Sequence, residues 1–205
     1  VTQGPKVAKF EENFANYIGA KYAVAVSNCT TALHLSMIVA GIKSGDEVIC
    51  PSLSYIATAN CITYVGAVPI FAEVNEDYNL DIDDVKTRIT TKTKAILLVH
   101  QMGMPADIDA FQKLCKQRNL ILIEDAACAI GSEYKGKKIG FHSDLVCFSF
   151  HPRKVITPNE VVVVAWFSDI ALSAGVSAGQ TLAQSGQPPR RIHSFTALGI
   201  LKSVS

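Results

Sequence analysis

The chain has 205 residues, of which 49% are hydrophobic and 18% charged, and its formal net charge is +1. This composition supports a sizeable buried core and argues against a disordered chain. The balanced charge argues against a nucleic-acid partner. The longest apolar run, residues 161–167, is too short to span a membrane.

Hydrophobic spacing predicts that helices and strands alternate along most of the chain. In chain order these are a helix at 6–18, a strand at Tyr22–Val26, a helix at Ala32–Val39, a strand at Val48–Cys50, a helix at 54–64, an extended segment at Val68–Ala72, a helix at Asp81–Ile89, a strand at Lys94–Val99, a helix at Ile108–Arg118, a strand at Leu120–Ile123 and a strand at Leu145–Phe150. Apolar strands that alternate with helices predict an α/β fold, with three α/β/α layers and a mostly parallel central sheet.

The composition changes near residue 166. Residues 1–165 are predicted to form one domain, whereas residues 166–205 are rich in Ser, Ala and Gly and show no helical or strand period. We expect a poorly ordered tail there. A frameshifted or rearranged reading frame would give such a composition.

The cysteines and histidines indicate neither a disulfide framework nor a metal centre. Six cysteines, at positions 29, 50, 61, 115, 128 and 147, form no CxxC pair, and five histidines show no metal-binding spacing. We therefore expect reduced thiols in a cytoplasmic protein. Because the chain starts at Val1 without a methionine or a secretory leader, we also expect that an N-terminal segment is missing.

Polar residues follow several of the predicted strands, where an open parallel sheet binds its ligands. Residues 27–31 lie between a strand and a helix, where free N–H groups suit a phosphate and the hydroxyls of Thr30 and Thr31 add donors. A simple helix cap is the alternative. Tyr55 follows another strand, where its ring could stack on a flat cofactor. An ordinary core or rim tyrosine is the alternative.

Two charged residues are further candidates. Asp125, preceded by Glu124, follows a fully apolar strand, where a buried carboxylate needs a cationic partner such as a protonated ring nitrogen. A helix cap or a metal ligand is the alternative. Lys154 follows the strand that carries Ser149, and Arg153 lies beside it. Burial and neighbouring positive charge lower the pKa of a lysine and favour a Schiff base, whereas the alternative is an exposed cationic turn.

Five stretches together resemble the DegT/DnrJ/StrS sugar aminotransferases, which are pyridoxal-phosphate enzymes of the aspartate-aminotransferase fold. The matching stretches are Ser27–Leu33, Gly45–Ile49, Pro51–Tyr55, Glu124–Ala127 and Phe148–Lys154. The likeness runs from about residue 3 to about residue 157.

The resemblance implies a role for each matching residue. It implies that Lys154 forms the Schiff base with pyridoxal 5'-phosphate and moves the substrate proton, and that Asp125 keeps the pyridine nitrogen protonated. Tyr55 matches the residue that stacks on the ring. Cys128 falls where the family usually has Gln or His near the ring hydroxyl, and a thiol is a poorer hydrogen-bond partner. The phosphate-holding positions are matched by Thr30, Thr31 and Ser149.

The resemblance also implies the reaction and the partners. Lys154 favours transamination, because the sugar 3-dehydrase relatives have a histidine at this position. An amino acid, glutamate in most of the family, would donate the amino group to the cofactor, and a keto group on a nucleotide-linked sugar would accept it. The family builds its active site at a dimer interface, so we expect a homodimer.

The match ends shortly after Ile156. The family continues into a glycine-rich loop, whereas residues 157–164 of this chain are mostly bulky, and no likeness remains beyond about residue 165. We therefore expect the C-terminal small domain of the family to be missing. One alternative is a catalytically inactive truncated remnant that folds and binds the cofactor or dimerises without turnover. Another α/β enzyme, such as a nucleotide-binding one, is disfavoured because neither a GxGxxG nor a GxxxxGK[ST] pattern occurs.

Overall fold

The computed structural model describes residues 5–151 and the backbone of residues 162–166. Its helices are α1 (Pro5–Ile18), α2 (Cys29–Val39), α3 (Ala57–Thr63), α4 (Ile82–Arg88) and α5 (Ile108–Arg118), with a single 3-10 turn at Gln101–Gly103. Its strands are β1 (Tyr22–Val26), β2 (Glu47–Pro51), β3 (Val68–Ala72), β4 (Thr93–Val99), β5 (Ile121–Asp125), β6 (Glu133–Tyr134), β7 (Lys137–Lys138), β8 (Leu145–Ser149) and β9 (Val162–Trp166). Of the helices within residues 5–151, none has the length and hydrophobicity needed to cross a bilayer.

Seven of the described strands form the central sheet, in the order β1-β9-β8-β5-β4-β2-β3. Strands β3, β2, β4, β5 and β8 pair in parallel. Strand β9 is antiparallel to both of its neighbours, β8 and β1, so β1 runs in the same direction as β8. The predicted α/β fold with a mostly parallel central sheet is confirmed.

Helices cover both faces of this sheet and form two separate cores. Helices α2 and α3 pack on one face, called here the α2/α3 face, through side chains such as Leu33 and Ile62. Helices α1, α4 and α5 pack on the other, the α1/α5 face. Strand β4 supplies both cores because successive side chains point to opposite faces: Leu97 joins the first core and Leu98 the second. Because this strand is buried on both faces, its residues 95–99 are all apolar.

Several predicted boundaries were wrong, among them the start of α2, which lies at Cys29 and not at Ala32. Strands β6, β7 and β9 were not predicted. The helix expected at residues 54–64 begins only at Ala57, because residues 52–56 form bends and a turn after β2. The strand expected at Leu120–Ile123 extends to Asp125, since Glu124 and Asp125 still pair in register with β4 and β8. Backbone pairing does not depend on side-chain polarity, so the strand continues through both acids. The hairpin of β6 and β7 is too short to give a sequence period.

Aromatic side chains attach α1 to the end of β8. The rings of Phe14 and Phe148 meet edge to face with centroids 5.1 Å apart, and Phe150 contacts both Phe14 and Phe10 at 5.4 Å. Gly140 allows this packing: a Cβ there would lie 2.9 Å from Phe148 Cζ, and its φ of +103° suits glycine alone. The cluster therefore holds the strand that carries Ser149.

Replacement of Phe148 by alanine is expected to lower the free energy of unfolding by about 3–5 kcal/mol, since it removes a fully buried ring and leaves a cavity. Urea denaturation followed by circular dichroism measures the loss. Phe71, which is 48% exposed on the edge strand β3, is the matched control. Its replacement by alanine is expected to cost about 1 kcal/mol or less. Equal losses for the two variants would contradict the packing of Phe148 against α1.

Candidate cofactor site

The carboxyl ends of the parallel strands place most of the predicted site residues along one edge of the sheet. Asp125 on β5 pairs with Cys147 on β8, two residues before Ser149. Ser149 pairs across β9 with Val162, which in turn pairs with Val26, the last residue of β1. The Asp125 and Ser149 positions and the loop after β1 therefore lie at the same edge, although about 120 residues separate that loop from Ser149.

Asp125 is a buried carboxylate on the α2/α3 face, with only 6% of its surface exposed. Its Oδ1 accepts the backbone N–H of Ala127 at 3.0 Å. Burial raises the pKa of the Cys147 thiol far above its usual range, and the nearby Asp125 charge raises it further. The pKa of the Cys61 thiol is raised by burial in the same way, and Asp125 again contributes. The carboxylate thus lies among uncharged thiols, where a positively charged partner group is most strongly favoured.

Helix α2 begins with a cap that orders the first of the predicted phosphate positions. Asn28 Oδ1 accepts the backbone N–H of Thr31 at 2.9 Å and its hydroxyl at 3.1 Å. The hydroxyl of Thr31 also lies 3.3 Å from that of Ser27. Thr30 and Thr31 are half-buried in the first helical turn. Hydroxyls and backbone N–H groups at a helix N-terminus suit a phosphate, so the cap and the phosphate interpretations are compatible.

Ser149 approaches this helix from the sheet. It is 5% exposed, and its Oγ accepts the backbone N–H of His151 at 3.4 Å. Helix α2 is attached to the same strand by a contact of 3.2 Å between Ser36 Oγ and Cys147 Sγ. The strand that carries Ser149 and the helix that carries the threonines are therefore packed together.

Tyr55 lies in the segment between β2 and α3 and is 76% exposed, so it is not a core residue. Its neighbour Ser54 is held by a hydroxyl contact to Thr58 of 2.7 Å. The preceding residue, Leu53, accepts a hydrogen bond from Gln101 Nε2 at 3.3 Å, which joins this loop to the loop after β4. An exposed aromatic ring is thus available at the carboxyl edge of the sheet.

Of the two remaining predicted residues, Cys128 and Lys154, only Cys128 lies in the part of the chain that the structure describes. Cys128 is half-buried in the turn after β5. Its carbonyl oxygen would lie 2.8 Å from a Cβ at Gly103, so the loops after β4 and β5 pack closely. Lys154 lies outside the described residues, and its role stays a prediction from the sequence.

The structure also shows a buried polar cluster that was not predicted. Glu124 and His100 are 0% and 1% exposed, and Glu124 Oε2 lies 3.1 Å from His100 Nε2. The hydroxyl of Ser143 donates to the other carboxylate oxygen of Glu124. The sequence did contain a signal: in a strand, adjacent acids face opposite sides of the sheet. Because Asp125 faces α2 and α3, Glu124 faces α1 and α5.

Taken together, these side chains and backbone groups suit one kind of ligand. A buried carboxylate, an exposed aromatic ring, and hydroxyls around a helix N-terminus match a flat aromatic molecule with a positive ring nitrogen and a phosphate. Within residues 5–151, no group of three or more His, Cys, Asp or Glu side chains is arranged to hold a metal ion.

Comparison with known proteins identifies similar chains. GDP-perosamine synthase from Escherichia coli O157:H7 is 48% identical over 160 residues, which cover 78% of this chain and 44% of that protein. Among solved structures, an aminotransferase from Psychrobacter cryohalolentis has a TM-score of 0.82 at 30% identity, covering 92% of this chain and 50% of that one. NtdA from Bacillus subtilis with bound cofactor PMP has a TM-score of 0.80 at 28% identity, covering 90% of this chain and 43% of that one.

The chain spans about half the length of the relatives it matches. The model of the DegT/DnrJ/EryC1/StrS aminotransferase family matches residues 1–167, which include all five of the stretches quoted above. The resemblance stated from the sequence is therefore confirmed, and the chain belongs to the DegT/DnrJ/EryC1/StrS aminotransferase family.

Proposed function

We propose that this chain binds pyridoxal 5'-phosphate and transfers an amino group from an amino acid, glutamate above all, to a keto group of a nucleotide-linked sugar. The observation that carries the proposal is the buried carboxylate of Asp125 at the same sheet edge as Ser149 and the α2 N-terminus. Family membership and the relative NtdA, solved with its cofactor PMP, support this cofactor. The name of the relative GDP-perosamine synthase supports a GDP-linked or similar acceptor.

Each residue of the site has a separate task in this proposal. The cofactor, when bound, supplies an electron sink for the substrate carbon. Asp125 would hold the positive ring nitrogen, and the Tyr55 ring would stack on the cofactor. Lys154 would supply the amine that bonds to the cofactor aldehyde and moves a proton at the substrate carbon. The phosphate would be held by Thr30, Thr31 and Ser149.

Titration of the purified chain with pyridoxal phosphate tests the proposal. Binding is expected to produce a visible absorbance band, and borohydride is expected to attach the cofactor covalently. In a separate sample that is not treated with borohydride, added glutamate should bleach the band, and a nucleotide-linked keto sugar should restore it. A band that glutamate does not bleach would favour cofactor binding without turnover. Protein that is colourless after unbound pyridoxal phosphate has been removed would reject cofactor binding by this chain.

We further propose that a second copy of the chain covers the apolar rim of this site. The rim consists of exposed side chains on two loops that the Gln101–Leu53 hydrogen bond joins. Ile56 on one loop is 62% exposed and Met102 on the other is 79% exposed, so both of the joined loops present large apolar side chains to the surface. The members of the apolar rim are Leu53, Ile56, Met102 and Met104.

Replacement of Ile56 by aspartate is expected to weaken self-association at least about tenfold, because a charge would be buried in an apolar contact. Sedimentation velocity over a concentration series measures the dissociation constant. Val68→Asp is the matched control, since Val68 is 47% exposed and begins β3, at the opposite end of the parallel strands. A wild-type chain that stays monomeric throughout, or equal effects of both substitutions, would reject the rim as the contact surface.

A further inference from the structure

His100 connects three segments of the chain behind the site. Its ring Nε2 faces Glu124 Oε2 at 3.1 Å, and its ring Nδ1 accepts the backbone N–H of Ala106 at 3.1 Å. Its own backbone N–H donates to the carbonyl oxygen of Asp125 at 3.0 Å. One residue at the end of β4 is therefore bonded to both acids of β5 and to the loop that leads into α5.

The hydrogen-bond directions in this cluster follow from its geometry. Because Nδ1 of His100 accepts an N–H, the ring hydrogen lies on Nε2 and is donated to Glu124. Ser143 donates to the other oxygen of Glu124. Both carboxylate oxygens of Glu124 therefore accept a hydrogen bond. Gln112 on α5 extends the cluster, with its Nε2 3.4 Å from Ser143 Oγ.

The stability of the fold alone does not explain why these polar side chains are buried together. A buried charged group with hydrogen-bonded partners contributes little more to stability than apolar residues of the same size. It does define a single arrangement of the chain, because each donor and acceptor has one partner position. Its location directly behind Asp125 makes that arrangement useful for the site.

We propose that His100, anchored by Glu124, is a positioning residue that holds the Asp125 carboxylate in place for the ring nitrogen of the cofactor. The main chain at Asp125 is held on both sides: His100 N–H binds its carbonyl oxygen, and the next N–H, of Ala126, donates to Cys147 O at 2.8 Å. The side chain then accepts the Ala127 N–H. Loss of the contact between His100 and Glu124 would allow the main chain after β4 to move, and with it the His100 N–H that binds the Asp125 carbonyl oxygen. The inference rests on the proposed function only in naming the cofactor.

Amide hydrogen exchange in the cofactor-free chain tests the positioning role without any catalysis. The Ala127 amide is the reporter, because it binds the Asp125 carboxylate directly. The Ile42 amide, which donates to Met37 O at 3.0 Å, is a remote reference. In His100→Asn the side-chain oxygen can still accept from Ala106, but no donor reaches Glu124. In His100→Gln the side-chain nitrogen takes the place of Nε2, so the Glu124 contact is kept.

His100→Asn is expected to speed exchange at Ala127 about tenfold, as the loss of one hydrogen bond would, while Ile42 is unchanged. His100→Gln is expected to stay close to wild type because it keeps the Glu124 contact. Glu124→Gln is expected to do the same, since the amide oxygen can still accept from His100 and Ser143 can reverse its hydroxyl to accept from the amide nitrogen. Unchanged exchange at Ala127 in His100→Asn, or an equal rise at Ala127 and Ile42, would overturn the positioning role.

A second arm measures the dissociation constant for pyridoxal phosphate. His100→Asn is expected to raise it at least about fivefold, and His100→Gln less than about twofold, in line with the loss or retention of one hydrogen bond. Equal constants for wild type and His100→Asn would overturn the inference. If the wild-type chain binds no cofactor, the proposed function fails, and the exchange rates alone decide whether His100 positions Asp125.

Discussion

Replacement of Lys154 by alanine is expected to abolish the borohydride-dependent attachment of pyridoxal phosphate. Turnover is expected to fall by about 10³-fold or more, because removal of a group that bonds covalently to the reacting system is among the largest single-residue effects. Mass spectrometry of proteolytic peptides after borohydride treatment measures the attachment. The expectation rests on the sequence stretch Phe148–Lys154, which contains the site residue Ser149 and ends at the lysine.

Lys154→Arg separates the two interpretations of this lysine. Arginine keeps the positive charge of a cationic turn, but its guanidinium stays protonated and cannot act as the nucleophile. It is therefore expected to behave as alanine does in the attachment assay. Lys113→Ala, at an exposed position on α5, is the control for loss of a surface lysine. Attachment that persists in Lys154→Ala would show that another amine reacts and would remove the catalytic assignment.

Replacement of Asp125 by asparagine is expected to lower turnover by about 10²–10³-fold, the size of effect seen when one electrostatic contact to a reacting group is removed. Asparagine has the same shape and can still accept the Ala127 N–H, so the turn after β5 is retained. What it lacks is the negative charge that would keep a ring nitrogen protonated. We also expect weaker binding of pyridoxal phosphate, by about tenfold, from the loss of a charged hydrogen bond.

Steady-state assays and absorbance titration of the cofactor measure the two effects of the Asp125 substitution. The control is Asp144→Asn, which removes a carboxylate from an exposed position just before β8. Circular dichroism of the cofactor-free variant shows whether the fold is retained. An Asp125→Asn variant that folds, binds the cofactor and turns over as the wild type does would exclude a role for this charge.

The fold could be predicted from the sequence because its elements follow local patterns. Residues 95–99 of strand β4 form an unbroken apolar run, which is typical of a strand covered on both faces. Helix α5 begins at a capping Asp107 and ends at Asn119, which adopts the left-handed conformation. Boundaries were less accurate where local signals conflict, as at Glu124 and Asp125. Two charged residues suggest the end of a strand, yet their backbone continues to pair with β4 and β8.

The candidate site could be predicted only in part from the sequence. The motif residues were recognised through their resemblance to a family, residue by residue. The His100–Glu124 contact was not, because it joins two residues 24 positions apart, one directly after β4 and one on β5, and neither has a distinctive local pattern. The exposure of Tyr55 and the apolar rim likewise depend on what surrounds each side chain in three dimensions.

The amino-acid sequence by itself determined the alternation of helices and strands, the parallel sheet and the identity of the chemical groups, because hydrophobic period and capping act over a few residues. Only the tertiary structure decided which of two adjacent acids faces α2 and α3 and which faces His100. Strand pairing between distant segments sets the face that each side chain occupies, and a shift of one residue would exchange Glu124 and Asp125.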